Sequence, residues 1–247
     1  MANLYENDWL YDLVHEKSAD SEQIAFYEKQ IDRFGQPVLE LACGTGNYLV
    51  TLQEKEVEIA GLDVSTEMLD GAEKRASAKE LDSNLINADM RNFDLDQKFS
   101  LIFIAGNSLQ HLNSVEDVES CFESVKRHLK PDGKFIVEVF SPSLTLLNRD
   151  PQVRYFVGEF KTDDGWVVIN ENVLYDPATQ VNHIHWHHKN QYENEEHTVT
   201  FTMRQFFPQE FDYLFTKNGF TIDQKFGDFD ERPFESKSSK QIIVASL

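Results

Sequence analysis

A short apolar strand that runs directly into a glycine turn has few folds open to it. Residues 38–47, Val38-Leu39-Glu40-Leu41-Ala42-Cys43-Gly44-Thr45-Gly46-Asn47, form such a stretch. Near-continuous apolar character marks a strand covered on both faces, as in parallel sheets flanked by helices. Gly44 and Gly46 let the backbone approach a ligand that a Cβ would push away. A second apolar strand, 57–62, ends at Asp63, seventeen residues after Gly46 and near the spacing at which an acid meets ribose hydroxyls. The pattern points to a nucleoside-cofactor turn at the carboxyl edge of a parallel sheet.

The glycine count narrows the cofactor. A dinucleotide turn needs glycine or alanine three residues after its second glycine, where this chain has Leu49. No Gly-Lys-Ser or Gly-Lys-Thr follows the turn, so a P-loop is excluded too. Residues 40–46 instead resemble the first motif of class I S-adenosylmethionine-dependent methyltransferases, with Ala42 where glycine is common. Gly61-Leu62-Asp63-Val64-Ser65-Thr66-Glu67-Met68-Leu69 resembles the second motif and Ile86-Asn87-Ala88-Asp89-Met90-Arg91 the third. Residues 99–112, through Ala105-Gly106-Asn107-Ser108-Leu109-Gln110-His111-Leu112, resemble the fourth, and Leu129-Lys130-Pro131-Asp132-Gly133-Lys134 the turn into the fifth strand. Their occurrence in order over 36–140 is far more specific than any one of them. The resemblance implies S-adenosylmethionine as cofactor and S-adenosylhomocysteine as product. It implies a cofactor site made by Tyr11, Glu40, Ala42, Gly44, Gly46, Asp63, Val64, Met68, Asp89, Met90 and Ala105. In it Asp63 holds the ribose, Asp89 accepts from the adenine amino group, the Met90 amide reaches the ring, and Tyr5 and Tyr11 close over the cofactor.

Strands at 38–41, 58–63, 84–88, 99–105 and 134–140 alternate with helices near 47–55, 66–80 and 115–129, preceded by a helix at 21–34. The expectation is an α/β fold, a doubly wound, Rossmann-like and mostly parallel sheet. After Pro142 the pattern changes to strand-like segments near 153–162, 166–175, 180–190 and 197–206, divided by Asp163-Asp164-Gly165, Asp176-Pro177 and the polar stretch 193–196. A helix at 208–218 and strands at 220–226 and 241–245 then complete the core sheet by resemblance. The expected organisation is a helical lid segment at 1–35, a cofactor-binding core at 36–142 and 207–247, and an antiparallel β insertion at 143–206 forming a substrate lid. Monomer and homodimer both remain open.

With 23 Lys plus Arg against 43 Asp plus Glu, the net charge of −20 repels a phosphate backbone, so nucleic acid is not an expected partner. Residues 105–108 also differ from the Asn-Pro-Pro-Tyr type of DNA amino-methylating enzymes. Two cysteines form no disulfide framework, and neither a membrane span nor a leader is visible, which predicts a cytoplasmic protein. The predicted reaction is methyl transfer to a nitrogen or oxygen of a small molecule, with nitrogen favoured. A protein or peptide N-methyltransferase and a non-catalytic cofactor-binding regulator are the alternatives. His111, just beyond the fourth strand and near neutral pKa, is the candidate to take a proton or orient the acceptor. Tyr11 is placed with it as catalytic, while Tyr155 and Arg204 on insert strands are candidates for an acceptor carboxylate. His183, His185 and His187 share one strand face, but no supporting third ligand stands at metal-site spacing, so no metal is expected.

Overall fold

The computed structural model describes residues 2–15, 21–192 and 195–247. Met1 and residues 193 and 194 of the expected 193–196 divider lie outside the described residues. The core is a seven-stranded sheet of β2 (Val38–Leu41), β3 (Ile59–Asp63), β4 (Asn84–Asn87), β5 (Phe99–Ile104), β6 (Leu129–Phe140), β11 (Thr221–Phe226) and β12 (Lys240–Ser246). The order is β11-β12-β6-β5-β2-β3-β4, with β4, β3, β2, β5 and β6 parallel and β12 antiparallel between β6 and β11. The order reverses between β2 and β5, the switch point outside which ligands bind in open α/β sheets.

Both faces are buried. Leu39, Leu41, Ile102, Ile104 and Val137 pack on one side under α5 (Val115–His128) and α7 (Pro208–Lys217). Val38, Leu101, Phe103 and Ile136 pack on the other under α2 (Ser21–Phe34) and α3 (Asn47–Gln53), whose Tyr27, Tyr48, Leu49 and Leu52 join the same cluster. The Ser65 hydroxyl accepts the Met68 amide and starts α4 (Thr66–Ser77); Ser114 caps α5 through the Asp117 amide.

The insertion's β7 (Tyr155–Thr162), β8 (Gly165–Asp176), β9 (Val181–Asn190) and β10 (His197–Arg204), with β1 (Ala2–Asn3), form a second, five-stranded sheet in the order β1-β10-β9-β8-β7. The short helix α6 (Leu144–Leu147) leads into it. The expected meander is present, but it gains a strand from the far end of the chain. β1, only Ala2–Asn3, pairs in parallel with Val199 and Thr200 of β10. A 3₁₀ turn at Leu4–Glu6 and helix α1 (Asp8–His15) follow β1. Leu4 and Leu10 pack into the second core with Val167, Ile169, Ile184, Trp186 and Val199. The stretch expected as a turn into the fifth strand, 129–134, falls at the start of β6, where residues 130–133 bulge opposite Ser100 alone, between the pairs Phe99–Leu129 and Leu101–Lys134. No described helix is long and apolar enough to cross a membrane.

Candidate active site

A cavity of about 1310 Å³ lies between the carboxyl edge of the core sheet, the N-terminal segment and the inner face of the insert sheet. On the core side Glu40, Ala42, Cys43 and Gly44 bring in the β2 turn, Asp63 to Glu67 the end of β3, Met90 the loop after β4, and Ala105 to Ser108 the end of β5. Ala42 (φ 54), Gly44 (φ 55) and Gly46 (φ 78) are left-handed, so the turn coils tightly and presents backbone to the cavity. The Tyr11 hydroxyl stands over Gly44, 3.7 Å from where a Cβ would lie.

Asp63 ties two strand ends together. Its carboxylate accepts the Gly44 amide at 2.8 Å and the Ser65 amide at 2.9 Å. Burial nevertheless pushes its pKa up, with those amides pulling the other way. Glu40 is 2% exposed, and burial holds its carboxyl well above the usual range; one oxygen, Oε2, has no partner. A buried, unpartnered carboxylate oxygen beside a glycine turn fits a ligand that brings a cationic donor, as the α-ammonium of S-adenosylmethionine does. The Asp63 carboxylate fits ribose hydroxyls on the same wall.

The N-terminal segment closes the cavity from above. Ser65 Oγ donates to the Tyr5 carbonyl at 2.7 Å, Lys74 pairs with Asp8 at 3.0 Å, and Arg75 pairs with Asp12 at 3.1 Å. Thr45 in the glycine turn donates to Asp12 at 2.5 Å.

His111, part-buried at the end of a 3₁₀ turn (Ser108–His111), lines the cavity between two partners. Its Nδ1 lies 2.9 Å from the Thr202 carbonyl, which can only accept, so Nδ1 carries the proton. Nε2 therefore accepts from the Tyr5 hydroxyl at 2.6 Å. Burial lowers the His111 pKa, so the ring is neutral at neutral pH, and burial raises that of Tyr5, which stays a phenol.

Other expected residues stand elsewhere. Gly46 packs against α3 and α4, a Cβ there meeting Val50 at 3.1 Å and Ala72 at 3.2 Å. Met68 is buried in α4 at 1% exposure, behind the wall. The Asp89 carboxylate is forked by Arg91, which also reaches Asp117 at 2.9 Å, and only the neighbouring Met90 lines the cavity. The structure does not bring Arg204 to the cavity, because its guanidinium is spent on Glu210 at 2.7 Å and the Asn113 carbonyl at 3.2 Å. Tyr155 lies under the Arg149 guanidinium, 4.4 Å from ring centroid to carbon, in a separate groove beside α6. His183, His185 and His187 alternate with the cavity-lining Asn182, Ile184 and Trp186, so they take the outer face, where His187 bonds Thr198 and Asn172. Among the described residues no three His, Cys, Asp or Glu are grouped to hold a metal.

Several wall residues carried no mark in sequence reasoning. Glu138, in the apolar run of β6, is 1% exposed, pairs with Lys240 and accepts the Gly106 amide at 3.2 Å. An acid inside such a run was the available signal. Asn107 and Asn182 each leave a buried side-chain oxygen without a partner. Glu171 accepts the indole N–H of Trp186, its register partner on the adjacent strand, at 3.2 Å and pairs with Arg149 from the segment after α6 at 2.8 Å.

Residues 38–133 match the family described as "Methyltransferase domain". Bacillus subtilis YqeM, whose own methyltransferase assignment is provisional, is 29% identical over 83% of this chain and 85% of its own length. A Streptomyces venezuelae dTDP-3-amino-3,4,6-trideoxy-α-D-glucopyranose N,N-dimethyltransferase is 32% identical over 55% of this chain and 58% of its own length. The match thus spans little more than half of that sugar enzyme. In fold, an S-adenosylmethionine-dependent methyltransferase from Clostridium acetobutylicum superposes with a TM-score of 0.80 at 20% identity, covering 96% of both chains. Fold, motifs and family match together define a class I S-adenosylmethionine-dependent methyltransferase. The chain thus carries a stretch that matches the methyltransferase domain and shares the fold of S-adenosylmethionine-dependent methyltransferases.

Proposed function

We propose that the enzyme methylates the nitrogen of a small amine-bearing molecule. The observation that carries this reading is the part-buried, cavity-lining hydrogen bond from Tyr5 Oη to a neutral His111 Nε2 at the carboxyl end of β5. When bound, S-adenosylmethionine supplies a methyl group already activated by its sulfonium. The chain must hold it, align the acceptor, exclude water and free the acceptor's lone pair. Asp63 is assigned to the ribose hydroxyls, Glu40 Oε2 to the methionyl ammonium, and Val64 and Met90 to the adenine. Gly44, Ala42 and Ala105 supply close backbone, and Tyr11 covers the turn. Asp89 is assigned to holding the Met90 loop through Arg91. An acceptor that arrives as ammonium passes a proton to Tyr5 Oη while Tyr5 passes its own to His111 Nε2, which is unprotonated and ready to take it. A hydroxyl acceptor would also have to give up a proton, so the choice of nitrogen rests on the acidic charge of the chain and on the amine-methylating relatives.

The sugar relatives act on amines by name, which supports this reading. So does the acidic chain, which favours a cationic over an anionic acceptor. The insertion and residues 2–15 are proposed as the substrate lid, because both roof the cavity. The test is formation of S-adenosylhomocysteine over a panel of amines and their hydroxyl counterparts, with wild type, Tyr5→Phe and His111→Gln. Turnover on amines that falls about 100-fold in both variants, at unchanged S-adenosylhomocysteine affinity, is expected. Equal turnover on the hydroxyl counterparts would overturn the choice of nitrogen.

A further inference from the structure

One helical turn carries three leucines and buries none of them. α6 reads Leu144-Thr145-Leu146-Leu147, with no buried residue and no side-chain bond from Ser143 at its start. Leu144 is 74% and Leu146 50% exposed, and Phe140, just upstream at the end of β6, is 46% exposed. Helices in proteins are held chiefly by a buried apolar face, so packing gives this turn no reason to carry leucines. Single apolar residues are ordinary on a surface, whereas several together at the edge of a cavity mark a binding surface.

The position of the turn is the second observation. Phe140, Leu146 and Leu147 line the large cavity. Beside α6 lies a groove of about 640 Å³ walled by Leu144, Thr145, Leu146, Asn148, Arg149 and Tyr155. Leu146 and Arg149 wall both spaces, so cavity and groove adjoin at these two side chains. The charged and phenolic groups there already have partners. Arg149 pairs with Glu171 at 2.8 Å and lies on the Tyr155 ring, whose hydroxyl accepts the Asp150 amide at 3.2 Å. What they leave to a ligand is leucine and ring surface. The Tyr5–His111 pair lines the same cavity, so one ligand can meet a polar end there and an apolar end at α6. Six walling residues fall far short of the about 20 to 30 on each side of a standard protein interface, so the groove suits part of a small molecule.

We propose that the groove beside α6 is an apolar extension of the acceptor site, and that the acceptor is an amine carrying an aliphatic chain or comparable apolar group laid along Phe140, Leu146 and Leu144. This rests on the amine-methylation reading and goes beyond it. It names the acceptor class and assigns Leu144 and Leu146 as specificity-determining residues.

Protein saturated with S-adenosylhomocysteine is titrated by calorimetry with straight-chain primary amines from propylamine to octylamine. Affinity should rise about two- to fourfold per added methylene until the groove is filled. In Leu144→Ser and Leu146→Ser the rise should flatten, so that octylamine loses about tenfold while propylamine binds as before. Both side chains are at least half exposed, and unchanged S-adenosylhomocysteine affinity checks that each variant is folded. Wild-type affinity that does not depend on chain length overturns the groove, as does a rise that both variants retain in full. A wild-type dimer that Leu144→Ser converts to monomer in sedimentation, with the chain-length dependence unchanged, would give the leucines to a second copy and overturn it too. The same amines are then incubated with S-adenosylmethionine. Chain-length-dependent binding without formation of S-adenosylhomocysteine upholds the apolar groove and overturns amine methylation, whereas turnover that ignores chain length upholds amine methylation and overturns the groove.

Discussion

Asp63→Ala is the substitution whose consequences the structure lets one work out most fully. The side chain is 8% exposed and accepts two backbone amides, Gly44 at 2.8 Å and Ser65 at 2.9 Å. Truncation removes whatever the carboxylate gives the ribose, a hydrogen bond to a charged group being worth about 1.5 to 3 kcal/mol. Affinity for S-adenosylhomocysteine should therefore fall by about 10- to 150-fold. It also strands the two amides, at about 1 to 3 kcal/mol for each that water cannot reach, so thermal stability should fall as well. Asp63→Asn separates the two effects. Its amide oxygen can keep one backbone partner but its nitrogen cannot accept from a ribose hydroxyl, so binding should suffer more than folding. Calorimetry with S-adenosylhomocysteine gives the first quantity and thermal unfolding of the free protein the second. Burial has already raised the Asp63 pKa, so affinity should weaken on acidification sooner than for an exposed aspartate. A folded Asp63→Ala protein that binds within twofold of wild type would remove this residue from the site and refute the assignment of the β3 end to the ribose.

Glu40 and Gly61 extend the test. Burial raises the Glu40 pKa, so the free protein binds a proton there that the unfolded chain has released; its stability is full below the usual carboxylate range and is lost as pH rises through the folded value. Glu40→Gln should remove that loss, so the melting temperature of variant minus wild type widens as pH rises above the usual carboxylate range, while S-adenosylmethionine affinity drops; a pH-independent difference would refute the buried-acid account. Gly61→Ala would set a Cβ 2.8 Å from Cys43 Sγ and 2.9 Å from Leu49 Cδ2, directly under the glycine turn. Overpacking of about 1 to 3 kcal/mol should lower the melting temperature by several degrees, and Cys43→Ala in the same chain should restore part of it; no recovery would place the strain elsewhere.

The parallel half of the molecule was legible because its signals are local. Val38 to Gly46 carries strand, acid and turn within one stretch, and alternating strands and helices leave little choice of topology once each is covered on both faces. The insert strands were legible for the same reason, since Asp163-Asp164-Gly165 and Asp176-Pro177 break the runs near where β7, β8 and β9 end or begin. Which face of the insert looks at the cavity was not legible. Period two groups His183, His185 and His187 as readily as Asn182, Ile184 and Trp186, and only the packing of β9 against β8 and β10 over the core chooses between them. Arg204 shows the same limit. Its fork suits a carboxylate, but the one it meets is Glu210 at the start of α7 rather than a ligand.

The residues that most define the proposed chemistry are brought together over the longest stretches of chain, and this follows from what the reaction demands. Tyr5 reaches His111 across 106 positions, Ser65 holds the Tyr5 carbonyl across 60, and β1 completes a sheet whose other strands begin after residue 154. A two-residue strand has no periodicity to detect, and its pairing with Val199 and Thr200 is supplied by Leu4 and Leu10 entering the insert's own core. Methyl transfer needs an enclosure that opens for two ligands and then excludes water. An enclosure built from one contiguous segment would have to break its own core to open. One built from residues 2–15 laid across two sheets can part at polar contacts, Asp8 with Lys74 and Asp12 with Arg75, while both cores stay intact. The cofactor floor can therefore be written in motifs, whereas the proposed acceptor site exists only where the N-terminus, β5 and the insert meet.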